Sequence, residues 1–374
     1  MKEPPISGIA SAPFESVRAA FERNFAEGLE LGAQFAAFVD GELVVNLIGG
    51  YADREREKPW AGETIACVYS SGKAAIALLV ARAVSEGTLN YDAPVVDYWP
   101  NFGQNGKDTI TVADIMSHQA GLCGVPEEMP PENWLNWEKI RERIETMAPL
   151  WPPRSASGYA PQLFGFIVGE ILRRATGRGI ALMLREDFSA RGLSIYCGMD
   201  TSEIVRAAYM PKPPRAPDLG PLTELKRIAF LKPWSAPARV SREAWMAAEI
   251  PSSNIHCDAV SLAEIVHPFA NGGLFRGEQI LTRDAMEAGL AERIRGDDLV
   301  LPFHLSWSAG LMRNINGHFG PSETAFGHAG FGGSCVMFDP ARRLSAAYVM
   351  SKMSPYLVGD PRAVRLIDAL YAAV

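Results

Sequence analysis

Ser70 and Lys73 form the only Ser-x-x-Lys in the chain, Ser70-Ser71-Gly72-Lys73. If this stretch opens a helix, residues three apart are neighbours at roughly 5–6 Å between Cβ atoms, so the amine can reach the hydroxyl. A lysine with the ordinary pKa of ~10.4 is almost wholly protonated near neutrality and cannot take a proton from serine. Lowering it to about 7 needs roughly 4–5 kcal/mol of desolvation or cationic neighbours. The chemistry therefore asks for a buried site with a second basic group close by. Ala66-Cys67-Val68 upstream and Ala74-Ala75-Ile76-Ala77 downstream would supply the burial. The tetrapeptide alone is short enough to arise by chance, and a helix N-terminus capped by Ser70 or Ser71 is the structural alternative.

Two further segments could complete such a site. Tyr159 stands in SGYAPQLFGFIVGEI, just ahead of a helical pattern. A phenol there could relay a proton to and from a serine oxygen; otherwise it is an interface tyrosine with its hydroxyl satisfied locally. The stretch FGHAGFGGS places Gly327, Gly330, Gly332 and Gly333 around His328 and ends at Ser334. Such glycines imply close backbone approach at a strand edge, with amides free to point at a ligand. An edge amide paired with that of a helix-opening serine makes an oxyanion hole. The alternative is a glycine-rich hairpin with a solvated or packed His328. His118, in IMSHQAGL, reads as a packed or capping histidine. No G-x-S-x-G elbow, phosphate-binding glycine loop or H-E-x-x-H occurs, and the six histidines lack ligand spacing, so no metal or cofactor is expected.

The elements that must carry these groups follow from periodicity. Residues 13–28 repeat apolar positions at helical spacing. GAQFAAFVD and ELVVNLIGG read as strands joined at Asp40-Gly41, a hairpin signal. A helix from about Ser71 should present Ala74, Ala77, Leu78, Ala81 and Val84 on one face and close at Glu86-Gly87. Residues 110–210 read as mostly helical, with Thr111 as one cap and Gly177 ending QLFGFIVGEILRRATG. Residues 208–240 hold seven prolines and read as a long flap. Period two returns in FHLSWSAGLM, SCVMFDP and LSAAYVMS, and the amphipathic RAVRLIDALYAA follows. Strands at both ends around a helical middle imply residues 1–66 and 300–374 as one discontinuous α/β unit. Residues 67–299 then form a mainly helical insertion, including the Pro-rich flap at about 205–250. The cleft between them is the natural site.

Composition bounds the partners. The 374 residues are 48% hydrophobic and 21% charged, with a net charge of −7 and no long block of either sign. That excludes a generally basic nucleic-acid binder and a charged disordered chain. The longest apolar run, Ala74 to Ala81, is far short of the ~20 residues that span a bilayer, so no membrane partner is expected. The N-terminal stretch has one early lysine, two prolines and no apolar core of ~7–15 residues, so no secretory signal is expected. The five cysteines, Cys67, Cys123, Cys197, Cys257 and Cys335, form no C-x-x-C. Together these point to a reduced, cytoplasmic protein.

In this order and with these flanks, the three segments resemble the serine β-lactamase and penicillin-recognising superfamily. The closest likeness is to its class C-like branch, which includes the family VIII carboxylesterases. GAQFAAFVDGELVVNLIGGYADRE is similar to the family's first hairpin, TITVADIMSHQAGL to the helix and turn beyond the nucleophile, and FGHAGFGGSCVMFDP to its third motif. The resemblance implies a β-lactamase/transpeptidase-like fold: an antiparallel sheet flanked by helices, with an inserted helical domain. It also implies Ser70 as the acylated nucleophile, Lys73 and Tyr159 as its proton carriers, and the amides of Ser70 and Phe331 as the oxyanion hole. His328, Ala329 and Gly330 would contact substrate where many members have Lys-Thr-Gly.

The sequence departs from that pattern twice. Where members often read Tyr-x-Asn, it has Tyr159-Ala160-Pro161, which offers no side-chain amide to a substrate carbonyl. His328 in place of lysine leaves a mostly neutral contact near pH 7. Both changes point away from carboxylated β-lactams and towards small neutral esters. The expected activity is that of a serine carboxylesterase. An acyltransferase, a weak β-lactamase or D-alanyl peptidase, and a non-catalytic acyl-ligand sensor are the alternatives; the oligomeric state is open.

Overall fold

The structure is a computed structural model that describes residues 4–237 and 240–374. Residues 1–3, where the reading of the N-terminus begins, and residues 238–239 of the Pro-rich stretch lie outside the described residues.

Both ends of the chain build one antiparallel sheet, nine strands wide among the described residues. Its order is Ile6–Ala10, Glu42–Gly50, Gly32–Val39, Leu344–Met350, Cys335–Asp339, Phe326–Ala329, Met312–Arg313, His304–Trp307 and Ile294–Asp297. The first hairpin turns at Asp40 and Gly41, with φ of 51° and 88°, the two left-handed residues that a type I′ turn needs.

Side-chain alternation splits the central strands between two cores. Ala33, Phe35, Ala37, Cys335, Met337, Leu344, Ala346 and Tyr348 face one core, shared with Phe21 and Leu366 of the Glu15–Ala26 and Pro361–Tyr371 helices. Ala36, Phe38, Val336, Phe338, Ala347 and Val349 face the other, shared with the helical middle of the chain. The central strands are therefore buried on both faces and read as nearly continuous apolar runs.

The helix Lys73–Ser85 runs within that second core. It is buried at every residue from Lys73 to Ala81, not on one face as its pattern suggests, because helices pack around it on all sides. The capping box at Thr111 and Asp114 starts the helix Val112–Met116, and Gly177, at φ 76°, ends Leu163–Thr176.

One expectation is corrected at the sheet, and two edge strands that the periodicity did not mark join it. FHLSWSAGLM is not one strand: it folds back at Ser308–Leu311, so His304–Trp307 pairs with Met312–Arg313 as a hairpin. The edge strands Ile6–Ala10 and Ile294–Asp297 carry no clear alternation in sequence, since an edge needs only one paired side. The Pro-rich stretch is pinned by tryptophans. Trp234 Nε1 donates to the Val125 carbonyl at 3.1 Å, and Trp134 Nε1 donates to the Trp234 carbonyl at 2.7 Å. Among the described residues no helix is long and apolar enough to cross a membrane.

Candidate active site

Ser70 lies in a short 3-10 turn, Tyr69–Gly72, that runs directly into the helix beginning at Lys73. Tyr69 enters this turn with φ +46°, a strained conformation for a bulky residue. Neither Ser70 nor Ser71 caps the helix. Ser70 Oγ instead lies 2.9 Å from Lys73 Nζ and accepts a hydrogen bond from Tyr159 Oη at 2.6 Å. Ser71 Oγ bonds outward to the His328 carbonyl at 3.2 Å and to Ser334 Oγ at 3.1 Å, tying the turn to the sheet edge. Gly330 must be glycine here: a Cβ would come within 2.2 Å of both Ser334 Oγ and the Val68 carbonyl oxygen.

Lys73 is fully buried, and its Nζ also donates to the carbonyls of Pro161, at 3.2 Å, and Ser252, at 3.1 Å. Burial holds its pKa well below the ordinary lysine range. The second basic group expected beside it is not needed as a charge, since burial alone accounts for the shift. The nearby rings of His118 and His328 are themselves held neutral: burial, with Lys73 adding to it, pushes His118 well down and His328 to about 3. For the buried Tyr159 phenol the direction is opposite, upward, mainly through desolvation. One proton acceptor and one proton holder thus share a single hydroxyl.

Tyr159 is placed by contacts far away in sequence. It stands in an extended segment a turn ahead of Leu163, not at the helix start itself. Its amide donates to Asp298 Oδ1 at 3.0 Å, and Ser157 Oγ donates to Asp298 Oδ2 at 2.8 Å. Trp307 stacks on its ring at 5.9 Å and His118 meets it edge-on at 4.9 Å. His118 is the packed histidine expected, its Nδ1 accepting from the Ala160 amide at 3.3 Å. Sequence reasoning did not find Asp298, Ser252 or the Ser71–Ser334 pair, because no local signal marks them.

These groups open onto a cavity of about 290 Å³. Its walls include Tyr69, Phe230, Leu301, Met312, Phe331 and Val358, and among the described residues no Lys, Arg, Asp or Glu lines it. His328 and Ala329 lie on the wall, whereas Gly330 sits behind it. Among the described residues, neither the Ser70 amide nor the Phe331 amide donates to a protein acceptor. His328 Nδ1 donates to the Ala329 carbonyl at 2.9 Å, and its buried Nε2 has no partner among the described residues.

The sequence matches the beta-lactamase family over residues 21–369. It is 31% identical to the esterase/beta-lactamase LipL of Mycobacterium tuberculosis, over 95% of this chain and 85% of that one. The chain belongs to the beta-lactamase family. Two solved structures of similar fold cover 99% of it and 100% of themselves. One is a penicillin-binding protein homolog from Caulobacter crescentus, 46% identical with a TM-score of 0.96. The other is a family VIII carboxylesterase, 35% identical with a TM-score of 0.93. Within the beta-lactamase family, this chain therefore has the β-lactamase/transpeptidase-like fold, built on the two-ended antiparallel sheet.

Proposed function

We propose that the protein is a serine carboxylesterase acting on small neutral esters. The observation that carries this reading is the buried, carboxylate-free Lys73 amine 2.9 Å from Ser70 Oγ, with the Tyr159 phenol on the other side. As a neutral amine, Lys73 donates its two hydrogens to the Pro161 and Ser252 carbonyls and turns its lone pair to the Ser70 hydroxyl. Ser70 Oγ attacks the ester carbonyl carbon while its proton passes to Lys73 Nζ. The oxyanion accepts from the amides of Ser70 and Phe331. The alcohol leaves with a proton delivered through Tyr159, which Lys73 replenishes. Water then cleaves the acyl-enzyme by the same steps in reverse.

The substrate class follows from the walls. Among the described residues the apolar cavity has no charged side chain, and beside a neutral His328 these walls offer nothing to offset the desolvation of a substrate carboxylate. His328 and Ala329 give substrate a neutral surface. The printed names of the similar proteins, an esterase/beta-lactamase and a family VIII carboxylesterase, favour the same reading. The cavity is lined from both parts of the chain, by Ser70 and Tyr159 from residues 67–299 and by Met312 and His328 from 300–374, as a cleft between the two proposed units requires. Five free, buried cysteines suit a reducing cytoplasm.

The test is steady-state hydrolysis of a short-to-long acyl ester series beside a chromogenic cephalosporin, with mass spectrometry of the trapped enzyme. Neutral esters should turn over far faster than the cephalosporin, and a covalent adduct should map to Ser70. Ser70→Ala should lose about 10³-fold or more in kcat. Undiminished turnover by that variant would overturn the reading.

A further inference from the structure

Beneath the glycine-rich turn lies a buried charge cluster that the mechanism above does not use. Arg362, 4% exposed, opens the C-terminal helix and joins four stretches of chain. Its Nη1 donates to the Lys352 carbonyl at 2.7 Å and to Glu30 Oε2 at 3.2 Å. Its Nε and Nη2 hold the two Asp360 oxygens at 3.1 and 2.8 Å. Its Nη2 also donates to the Gly332 carbonyl at 3.1 Å. The fit is tight: a Cβ on Gly333 would come within 2.5 Å of Arg362 Nη2 and 2.3 Å of Asp360 Oδ2.

The connectivity of that turn gives the contact a direction. The Gly332 carbonyl shares its peptide unit with the Gly333 N–H, which donates to the Gly330 carbonyl at 3.1 Å. The Gly330 carbonyl in turn shares its peptide unit with the Phe331 N–H. A line of donors thus runs from a buried guanidinium through two peptide units to an amide that has no protein acceptor among the described residues. Hydrogen bonds in series polarise one another, and a charged donor at the head strengthens those that follow.

We propose that Arg362 is a positioning residue for ester hydrolysis, fixing and polarising the Phe331 amide through the Gly332–Gly333 and Gly330–Phe331 peptide units. The inference rests on the acyl-enzyme reading, in which that amide receives the oxyanion. A lysine at 362 lacks the planar fork and cannot hold Asp360 and Gly332 together. Its effect should fall on the step in which charge develops on oxygen, not on substrate binding.

The test compares Arg362→Lys with Tyr348→Phe. The latter removes the Tyr348 bond to Glu30 in the same cluster but touches nothing in the turn. For Arg362→Lys, kcat on a neutral ester should fall about tenfold or more with KM within about twofold, and phosphonylation of Ser70 by a phosphonate ester should slow in parallel. Tyr348→Phe should lower thermal stability and leave kcat within about twofold. If Arg362→Lys does not fold, Asp360→Asn, which releases the guanidinium from its anchor, should give the same kcat-only loss at severalfold. A folded Arg362→Lys with unchanged kcat, a loss confined to KM, or an equal loss in Tyr348→Phe would overturn the proposal. A wild-type enzyme that the phosphonate leaves unlabelled at Ser70 would overturn the acyl-enzyme reading itself.

Discussion

Two buried lysines in this protein have opposite fates. Lys107 and Lys73 are both fully buried, and each Nζ has three partners. Around Lys107 all three are carbonyls, those of Gln104, Glu145 and Met147. A carbonyl can only accept, so the three contacts are satisfied together only by an ammonium. Burial pushes Lys107 down to about 8, with the Glu145 carboxylate pulling the other way, so it stays charged at neutral pH. Around Lys73 one partner is a hydroxyl, which can reverse its bond and donate to a neutral amine, and no carboxylate opposes burial. Neither side chain is exposed, but Lys107 is less deeply packed and has a carboxylate beside it, so it stays a structural cation where Lys73 becomes a proton acceptor. Depth of packing, the Glu145 carboxylate and one reversible partner separate the two.

The two lysines part most visibly in activity. Lys73→Met should remove the acceptor and lower kcat/KM for a neutral ester by about 10³-fold or more, whereas Lys107→Met should keep kcat within about twofold. Parallel losses in steady-state assays would dissolve the distinction. Tyr159→Phe should follow at about 10²–10³-fold, mostly in kcat, because the phenol holds the proton that Lys73 lacks.

Protonation sharpens it further. Because the folded pKa of Lys73 is depressed, kcat/KM should rise with pH through an acid limb well below the ordinary lysine range. Lys107→Met should leave that limb in place in a pH–rate profile. Stability runs in the same sense. Between about 10.5 and the folded value the unfolded chain takes up the Lys73 proton first, so wild type should lose stability relative to Lys73→Met as pH falls across that window. Denaturant melts at successive pH values would measure it.

The smallest effect is expected at Lys107. Its replacement by methionine removes the donor from three carbonyls, two of them buried, and should cost about 1–3 kcal/mol of stability, read by denaturant unfolding. No loss would mean that the carbonyls find other donors.

What was legible in the sequence was local. The Asp40-Gly41 turn, the Thr111 cap and the Gly177 cap depend on residues within a few positions of one another, so their chemistry is visible in a short window. Ser70 and Lys73, three apart, were legible for the same reason. Tyr159 and the Phe331 turn entered as candidates because each segment has a recognisable flank, and their meeting was drawn from the whole pattern. Asp298 was not legible: it holds Tyr159 across 139 positions and looks in sequence like any surface aspartate. Nor was Arg362, whose contact with Gly332 spans 30 positions and follows no period. The short edge strands and the broken strand at Ser308–Leu311 were missed because one-sided pairing and a tight reversal leave little alternation to read.

The order of residues alone settles which reactive groups exist and where several turns and helix caps fall. These follow from backbone sterics and side-chain spacing within short windows. Only the tertiary structure decided which groups carry a proton. Desolvation is a sum over everything packed around an atom, and the partners that oppose or permit it at Lys73, Lys107, Tyr159 and His328 come from stretches that meet only when the chain is folded.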